Sequence, residues 1–409
     1  MMAAGPPEAL EKRGLAAALR TFPADVWARI KQGEFGVLPV LLALAVIWTY
    51  FQTQEPSFLS ARNLSNLVLQ IAVTGTVAIG ITLVLLVGEI DLSVGSVAGL
   101  SSAILGVLIV NNDWPWWAAI IVILLVGAAI GAFQGAWFAL IGVPAFVVTL
   151  AGFLGWQGAQ LRVLGTTGTI NVFEPRIADI ASSYLPGYWG WILAIAGSGL
   201  YAFTKITEQL RRFRAGLPAQ PLALVIVRTA AIAALAFGAV WVLNSAPTGG
   251  VPTAGVILLG LVIFFSWVTK RTKFGRYIYA VGGNAEAARR AGINIARIRI
   301  YVFTLAGMMA AIGGLIFVSR LAAASTQTGG GTFLLEAIAA AVIGGTSLFG
   351  GRGSVWSALL GALVIGSVAN GLDLMAQPPE VKYMVEGAIL LLAVTVDAAS
   401  RRSRAAAGR

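Results

Sequence analysis

Few residues of this sequence could perform chemistry, and the most informative of them are acids. The chain contains no Cys and no His, so it has no thiol nucleophile, no imidazole base and few of the usual zinc ligands. Glu89 and Asp91 lie between two apolar stretches, and Glu336, Asp373 and Glu386 lie near the ends of others. Carboxylates in such places bind protons or cations, or form charged contacts at a membrane surface.

Two glycine-rich segments interrupt the apolar pattern of the chain. Residues 88–96 read GEIDLSVGS and residues 344–354 read GGTSLFGGRGS. We predict broken or short helices at both places, at the inner face of a membrane, with Asp91 as the cap of the helix that follows it. The candidate gate residues in these segments are Glu89, Asp91, Ser93, Gly345, Thr346 and Arg352.

The second segment also has the glycine spacing of a nucleotide-binding loop. Gly345 and Gly350 match that spacing, but Gly351 and Arg352 stand where Lys and Ser or Thr are required. We therefore expect no nucleotide site here and no cofactor bound by this chain.

Residues 270–297 form a basic loop that contains a short predicted helix. Asn284 is a good N-cap, and Gly292 is suited to end the helix. Such a short helix is not stable alone in water, so either its own neighbouring helices and anionic lipid or a groove on a partner protein must hold it. The residues predicted to meet the partner are Gly283, Asn284, Glu286, Ala287, Arg289 and Arg290.

The composition shows where these segments must be placed. Of the 409 residues, 58% are hydrophobic and 11% are charged, whereas soluble domains have about 25% charged residues. We predict an all-α polytopic membrane protein with about 12 transmembrane helices. The predicted spans are 36–52, 65–88, 92–110, 115–141, 144–164, 186–204, 221–244, 254–269, 298–321, 335–349, 354–374 and 383–399.

The basic residues predict the orientation. Most of the 28 Lys and Arg fall in segments that an alternating topology places on one side, so both termini are predicted to be cytoplasmic. The predicted organisation is a cytoplasmic N-terminal tail (1–35), a transmembrane domain (36–399) and a cytoplasmic C-terminal tail (400–409). Because this bias accounts for the net charge of +11, we expect no nucleic-acid partner.

Three of these segments together resemble a known family. Residues 89–96 (EIDLSVGS), 274–289 (FGRYIYAVGGNAEAAR) and 343–347 (IGGTS) are similar to the ribose/xylose class of sugar ABC-transporter permeases. The run Glu286-Ala287-Ala288, with Gly292 beyond it, also resembles the loop by which ABC importer permeases meet their ATPases. Within the class, xylose permeases are the most similar, through residues 58–63, 143–144, 183–186, 241–244 and 387–394.

The resemblance implies a permease subunit of an ATP-driven sugar importer, not an enzyme, in the bacterial cytoplasmic (inner) membrane. It implies a permease homodimer in membrane lipid, cytoplasmic ABC ATPase subunits that hold ATP and Mg²⁺, and an extracytoplasmic sugar-binding protein. The short loop helix would couple permease to ATPase. Aromatic faces and amides suit sugars, so the candidate lining residues are Trp156, Gln157, Gln160, Asn370 and Asp373.

One alternative function belongs to another transporter class. An ion-coupled secondary sugar transporter often has a similar number of spans, and it would use intramembrane acids as ion sites. Its candidate ion ligands are Glu89, Asp91, Glu336, Asp373 and Glu386.

Overall fold

The protein is described by a computed structural model that covers residues 38–216 and 222–406. This part of the chain is overwhelmingly helical, because a backbone in lipid must satisfy its polar groups within the segment. The helices are α1 (Leu38–Gln54), α2 (Ala61–Leu86), α3 (Val94–Gly106), α4 (Trp116–Ala136), α5 (Ala145–Leu164), α6 (Pro175–Ser182), α7 (Gly187–Arg214), α8 (Leu222–Asn244), α9 (Thr253–Arg271), α10 (Lys273–Gly283), α11 (Ala285–Arg290), α12 (Ile295–Leu321), α13 (Phe333–Ile343), α14 (Trp356–Leu374) and α15 (Pro379–Ala406).

Short strands and helical turns lie between or extend these helices. The strands are β1 (Thr169–Asn171), β2 (Tyr184–Leu185), β3 (Val251–Pro252) and β4 (Ala323–Ser325). Strand β1 pairs antiparallel with β4, with Ile170 opposite Ala324. A π-helical turn extends α3 over Val107–Asn111, and another extends α4 over Trp137–Ile141.

Each predicted span coincides with a helix, which confirms the all-α polytopic fold. Seven of the described helical segments are long and apolar enough to cross a membrane: Ala61–Leu86, Val94–Asn111, Trp116–Ile141, Val225–Asn244, Thr253–Arg271, Ile295–Leu321 and Trp356–Leu374. The count of twelve spans is therefore not confirmed. Helix α13 is apolar but short, and α7 and α15 carry many charged residues.

The predicted tails and domain limits stay predictions. The N-terminal tail (1–35) and the last residues of the C-terminal tail lie outside the described residues.

Two compact units divide the chain, and the larger one contains every candidate site residue. It comprises residues 36–183 and 252–399, while the smaller one includes residues 184–251. In the larger unit, α12 packs against α4, α2 and α3, and α14 packs against α13 and α2. In the smaller unit, α7 packs against α8.

Glycines allow the close approach of α4 and α12. A Cβ at Gly131 would overlap the carbonyl oxygen of Phe303, and a Cβ at Gly307 would overlap that of Gly127. Gly135 lies four residues after Gly131 on the same face of α4, and a Cβ there would lie 3.0 Å from the Cβ of Phe303. The spacing of four residues in the sequence therefore marks a backbone contact between two apolar helices.

Candidate functional site

The predicted loop helix forms as α11. The side chain of Asn284 accepts a hydrogen bond from the backbone N–H of Ala287 at 2.9 Å, as an N-cap does. Beyond the helix, Gly292 has φ +80°, a conformation that favours glycine. Both ends of the helix thus lie where the sequence predicts them.

All the residues predicted to meet a partner are exposed on α11 and just before it: Gly283, Asn284, Glu286, Ala287, Arg289 and Arg290. Glu286 pairs with Arg289 at 3.7 Å and with Arg290 at 3.3 Å. Exposed ion pairs contribute little stability. Ala288 is 4% exposed and faces the protein, and the half-buried Ala285 packs beside it. Helix α11 is therefore seated through two small residues and presents its charged side outward.

Gly282, which comes shortly before α11, packs tightly against the end of α2 and against the second glycine-rich segment. A Cβ at Gly282 would overlap the carbonyl oxygen of Leu86 and would lie 2.6 Å from the backbone nitrogen of Gly351. That Gly351 N–H donates to the same Leu86 oxygen at 2.9 Å. The end of α2, the end of α10 and the second glycine-rich segment therefore share one backbone contact.

A second glycine contact completes this arrangement. A Cβ at Gly350 would lie 2.7 Å from Gly88 Cα and 2.8 Å from the Gly282 oxygen. The hydroxyl of Tyr279 donates to the Gly353 carbonyl at 2.9 Å, and burial raises the pKa of Tyr279. We call residues 86–88, 282–283 and 350–351 the glycine junction; it brings both predicted helix breaks and the loop helix to one place.

Glu89 forms a salt bridge beside the junction. Arg299 Nη2 lies 2.6 Å from Glu89 Oε1, and the Arg299 guanidinium carbon lies 5.5 Å from the centre of the Phe138 ring. Burial raises the pKa of Glu89, and the Arg299 charge opposes that rise. Because Arg299 lies in the first turns of α12, the pair ties the first break to the helix that follows α11.

Asp91 does not have the capping role predicted for it. Helix α3 begins at Val94 with Ser93 as its flanking residue, so Asp91 lies too early in the chain to be the N-cap. Asp91 Oδ1 instead accepts hydrogen bonds from Ser93 N–H at 2.8 Å and Ser93 Oγ–H at 2.6 Å. Burial raises the pKa of Asp91, which is 4% exposed, and Gln134 Oε1 lies 2.9 Å from Ser93 Oγ.

The second break has a different internal structure. Gly345 has φ +104°, and the hydroxyl of Thr346 is buried without a hydrogen-bond partner among the described residues. Arg352 is exposed, and its carbonyl accepts a hydrogen bond from Ser347 N–H at 3.0 Å. Asp397 Oδ2 accepts a hydrogen bond from Ser347 Oγ at 3.2 Å. Because Asp397 lies on α15, this helix helps to hold the turn.

The predicted lining residues lie on two helices. Gln160, on α5, donates to the Ser325 and Thr328 carbonyls at 2.8 and 3.1 Å. Asn370, on α14, exchanges side-chain hydrogen bonds with Asn63 at 2.7 and 3.1 Å. The structure thus engages these two amides in contacts between segments of the protein itself.

The other three predicted lining residues make fewer contacts with distant segments. Trp156 and Gln157 are half-buried on α5, and the indole nitrogen of Trp156 has no partner among the described residues. Asp373 is exposed and forms an ion pair with Lys382. The five residues are therefore not one cluster.

The acids of the alternative function form no metal cluster in the part of the chain that the structure describes. Thr332 Oγ1 donates to Glu336 Oε1 at 2.8 Å. Glu386 Oε2 is buried without a partner among the residues at 38–216 and 222–406.

Two residues of the site were not singled out from the sequence. Arg299 lies just beyond the predicted basic loop (270–297), and a cation within an apolar helix is a signal of a specific partner. Gln134 is an amide in the otherwise apolar α4, which is the same kind of signal.

Comparisons with known proteins identify the family. The family model described as "Branched-chain amino acid transport system / permease component" matches residues 63–394. No solved structure matches the chain.

Curated relatives match over nearly the whole chain. The xylose transport system permease protein XylH of Escherichia coli (strain K12) is 42% identical, over 90% of this chain and 92% of the relative. XylH of Haemophilus influenzae is 37% identical, over 91% and 99%. The ribose import permease protein RbsC of Escherichia coli (strain K12) is 34% identical, over 87% and 92%.

These relatives are transport permeases, which are not enzymes. Together with seven apolar helices, they make this chain a multi-pass membrane protein, which in bacteria means the inner membrane. The chain therefore belongs to this family of transport-system permease components, among whose members the xylose and ribose permeases are similar to it over about nine-tenths of its length.

Proposed function

We propose that this chain is the permease subunit of an ATP-driven sugar importer, with xylose as the substrate, in the bacterial cytoplasmic membrane. The seating of α11 on the glycine junction is the observation that carries the proposal. A permease without a nucleotide site takes its energy either from an ion gradient or from an ATPase on another chain. An exposed helix that follows directly after Gly282, which touches the end of α2 and the second break, suits coupling to an ATPase. The xylose permeases at 42% and 37% identity support the choice of sugar.

In the proposed mechanism, movement of α11 reaches both helix breaks through the backbone contacts of the glycine junction. A separate cytoplasmic ATPase, which holds ATP and Mg²⁺, binds the exposed side of α11. Displacement of α11 moves Gly282, which has no room to slide past Leu86 and Gly351. Both breaks then move together, and the packed glycine contacts between α4 and α12 let these helices shift as rigid bodies.

The proposed assembly contains further partners. A permease homodimer in membrane lipid encloses the path, and an extracytoplasmic binding protein delivers the sugar. On this chain, Trp156 and Gln157 are the preferred lining residues, because Gln160 and Asn370 already bond to other segments. Glu89, paired with Arg299, acts at the inner gate.

Reconstitution tests the function directly. The permease, its ATPase and its binding protein are placed in proteoliposomes with labelled D-xylose or D-ribose. We expect ATP-dependent uptake that prefers xylose and persists when an uncoupler removes ion gradients. Uptake that collapses with the uncoupler while ATP stays high would support the ion-coupled alternative. Preference for ribose would overturn the choice of sugar.

The coupling role has its own test. Glu286→Arg reverses a charge on the exposed side of α11, so we expect loss of ATPase association and of sugar uptake. Glu380→Arg makes the same charge change at another exposed acid and serves as the matched control. Unchanged ATPase association in the Glu286 variant would contradict the role of α11.

A further inference from the structure

Four unpaired cations lie around the turn that joins α9 to α10. All four are exposed, and none forms an ion pair among residues 38–216 and 222–406: Lys270, Arg271, Lys273 and Arg276. We call these four residues the basic turn. The sequence contains no Asp or Glu between residues 209 and 285, so the basic turn has no neutralising neighbour along the chain.

Tight backbone packing holds these cations close together. The side-chain oxygen of Thr272 accepts a hydrogen bond from the Gly275 N–H at 3.1 Å, so α10 begins directly where α9 ends. A Cβ at Gly275 would overlap the carbonyl oxygen of Thr269. Because glycine has no Cβ, α10 folds back against the end of α9, and the four cations surround one turn of fixed backbone.

The exposed side of α9 leads directly into the basic turn. Phe264 and Trp267 are 54% and 57% exposed on a helix that is apolar enough to cross a membrane. Lys270 and Arg271 follow Trp267 within about one helical turn, on the same side of α9. Because Trp at the end of a span lies at the level of the lipid headgroups, the basic turn begins at that level.

Helix α10 continues the charged surface. Ile278 and Val281 are buried against the protein, whereas Lys273, Arg276 and Tyr277 are exposed. Spacings of three and four residues bring these three exposed side chains to one helix face. That face combines positive charge with an aromatic ring, as protein surfaces in contact with lipid headgroups do.

The partner of the basic turn must carry negative charge and belong to the membrane. Clusters of Lys and Arg immediately beyond a transmembrane helix attract anionic lipid. A soluble anion would leave Phe264 and Trp267 uncovered, whereas the acyl chains of a lipid cover them. The exposed cations of α11 differ, because Arg289 and Arg290 already pair with Glu286.

We propose that the basic turn binds the phosphate group of an anionic phospholipid in the cytoplasmic leaflet, with the acyl chains against Phe264 and Trp267. The bound lipid holds α10 at the level of the headgroups. Gly282 lies at the other end of α10, so the lipid also supports the glycine junction from the membrane side.

Lipid binding is measured on the full-length permease alone, so the result does not depend on the proposed function. The detergent-purified protein is titrated with phosphatidylglycerol or with phosphatidylcholine of the same chain length, and bound lipid is counted by native mass spectrometry. We expect phosphatidylglycerol to bind at least about tenfold more tightly. Equal affinity for the two lipids would overturn the proposal.

Charge variants test whether the basic turn is the binding site. Lys273→Gln combined with Arg276→Gln removes two cations, and we expect phosphatidylglycerol binding to weaken about tenfold or more, with phosphatidylcholine binding unchanged. Lys273→Arg combined with Arg276→Lys keeps the charge and should keep the affinity. Arg211→Gln combined with Arg214→Gln removes two exposed cations from α7 and should have little effect. Equal weakening by this control would indicate a general charge effect and overturn the site.

Two other partners predict different results. Glycerol 3-phosphate carries the headgroup charge without acyl chains, so we expect it not to displace phosphatidylglycerol at equal concentration. Displacement would assign the basic turn to a soluble anion. A double Gln variant that keeps its phosphatidylglycerol affinity but loses ATPase association in detergent would assign the basic turn to the ATPase contact. Either result would overturn the lipid site.

Discussion

Arg299 Nη2 lies 2.6 Å from Glu89 Oε1, although the two residues are far apart in the sequence. Both side chains are largely removed from solvent, at 29% and 17% exposure. The pair joins the first helix break to the start of α12, and α12 follows the exposed loop helix α11. A charged contact at this point holds the first break against α12.

Removal of one partner of this pair should weaken the contact between the first break and α12. Glu89→Gln leaves the Arg299 charge half-buried without its counterion, at a cost of about 1–3 kcal/mol. We expect a lower Tm and ATP hydrolysis that continues while sugar uptake falls. Uptake and ATPase rates in proteoliposomes measure this uncoupling.

The exchange of the two charges is the decisive control. Glu89→Arg combined with Arg299→Glu should recover part of the lost coupling. Arg297→Ala removes an exposed cation two residues away on α12 and should have little effect. Equal losses of coupling in Arg297→Ala and Arg299→Ala would show that the loss follows from net charge and not from the Glu89–Arg299 pair.

Gly282 should tolerate no side chain, whereas the adjacent Gly283 should. A Cβ at Gly282 overlaps the Leu86 oxygen, while a Cβ at Gly283 meets nothing within 4 Å. We expect Gly282→Ala to lower ATP-dependent uptake at least about tenfold, because a displacement costing about 1–3 kcal/mol falls on the coupling contact. Similar uptake by the two alanine variants would contradict the role of the glycine junction.

Gly131→Ala should destabilise the packing of α4 on α12. Alanine is otherwise the better helix former by about 1 kcal/mol, but its Cβ overlaps the Phe303 oxygen. We therefore expect a net loss of about 1–3 kcal/mol, seen as a lower Tm in detergent. Gly260→Ala on α9 meets nothing within 4 Å and should be neutral or stabilising; a lower Tm for that control would remove the steric explanation.

Asp91 should make stability depend on pH. Burial raises its pKa above the ordinary value of 3.8, so the stability that the protonated carboxyl contributes is complete below that value and is lost as pH rises through the folded pKa. Asp91→Asn keeps an acceptor for Ser93 without the charge. We expect the variant to exceed the wild type by about 1–3 °C in Tm at about pH 8, with a smaller difference at about pH 5. Parallel pH curves would contradict this.

The helix positions and the loop helix were predictable because both depend on neighbouring residues. Long apolar runs must become helices in lipid, and each predicted run is a helix in the structure. The ends of α11 follow from Asn284, whose side-chain oxygen accepts a hydrogen bond from the Ala287 N–H at the helix N-terminus, and from Gly292 with its positive φ. These are interactions within a few residues, so the sequence alone carries them.

The sequence by itself therefore determined the membrane class, the breaks near residues 88–96 and 344–354, and the exposed helix between them. Only the tertiary structure decided that both breaks meet Gly282, that Glu89 pairs with Arg299, and that Gln134 reaches Ser93. The reason is physical: hydropathy and capping act locally along the chain, whereas these contacts join distant segments whose approach depends on how glycines and small side chains pack between helices.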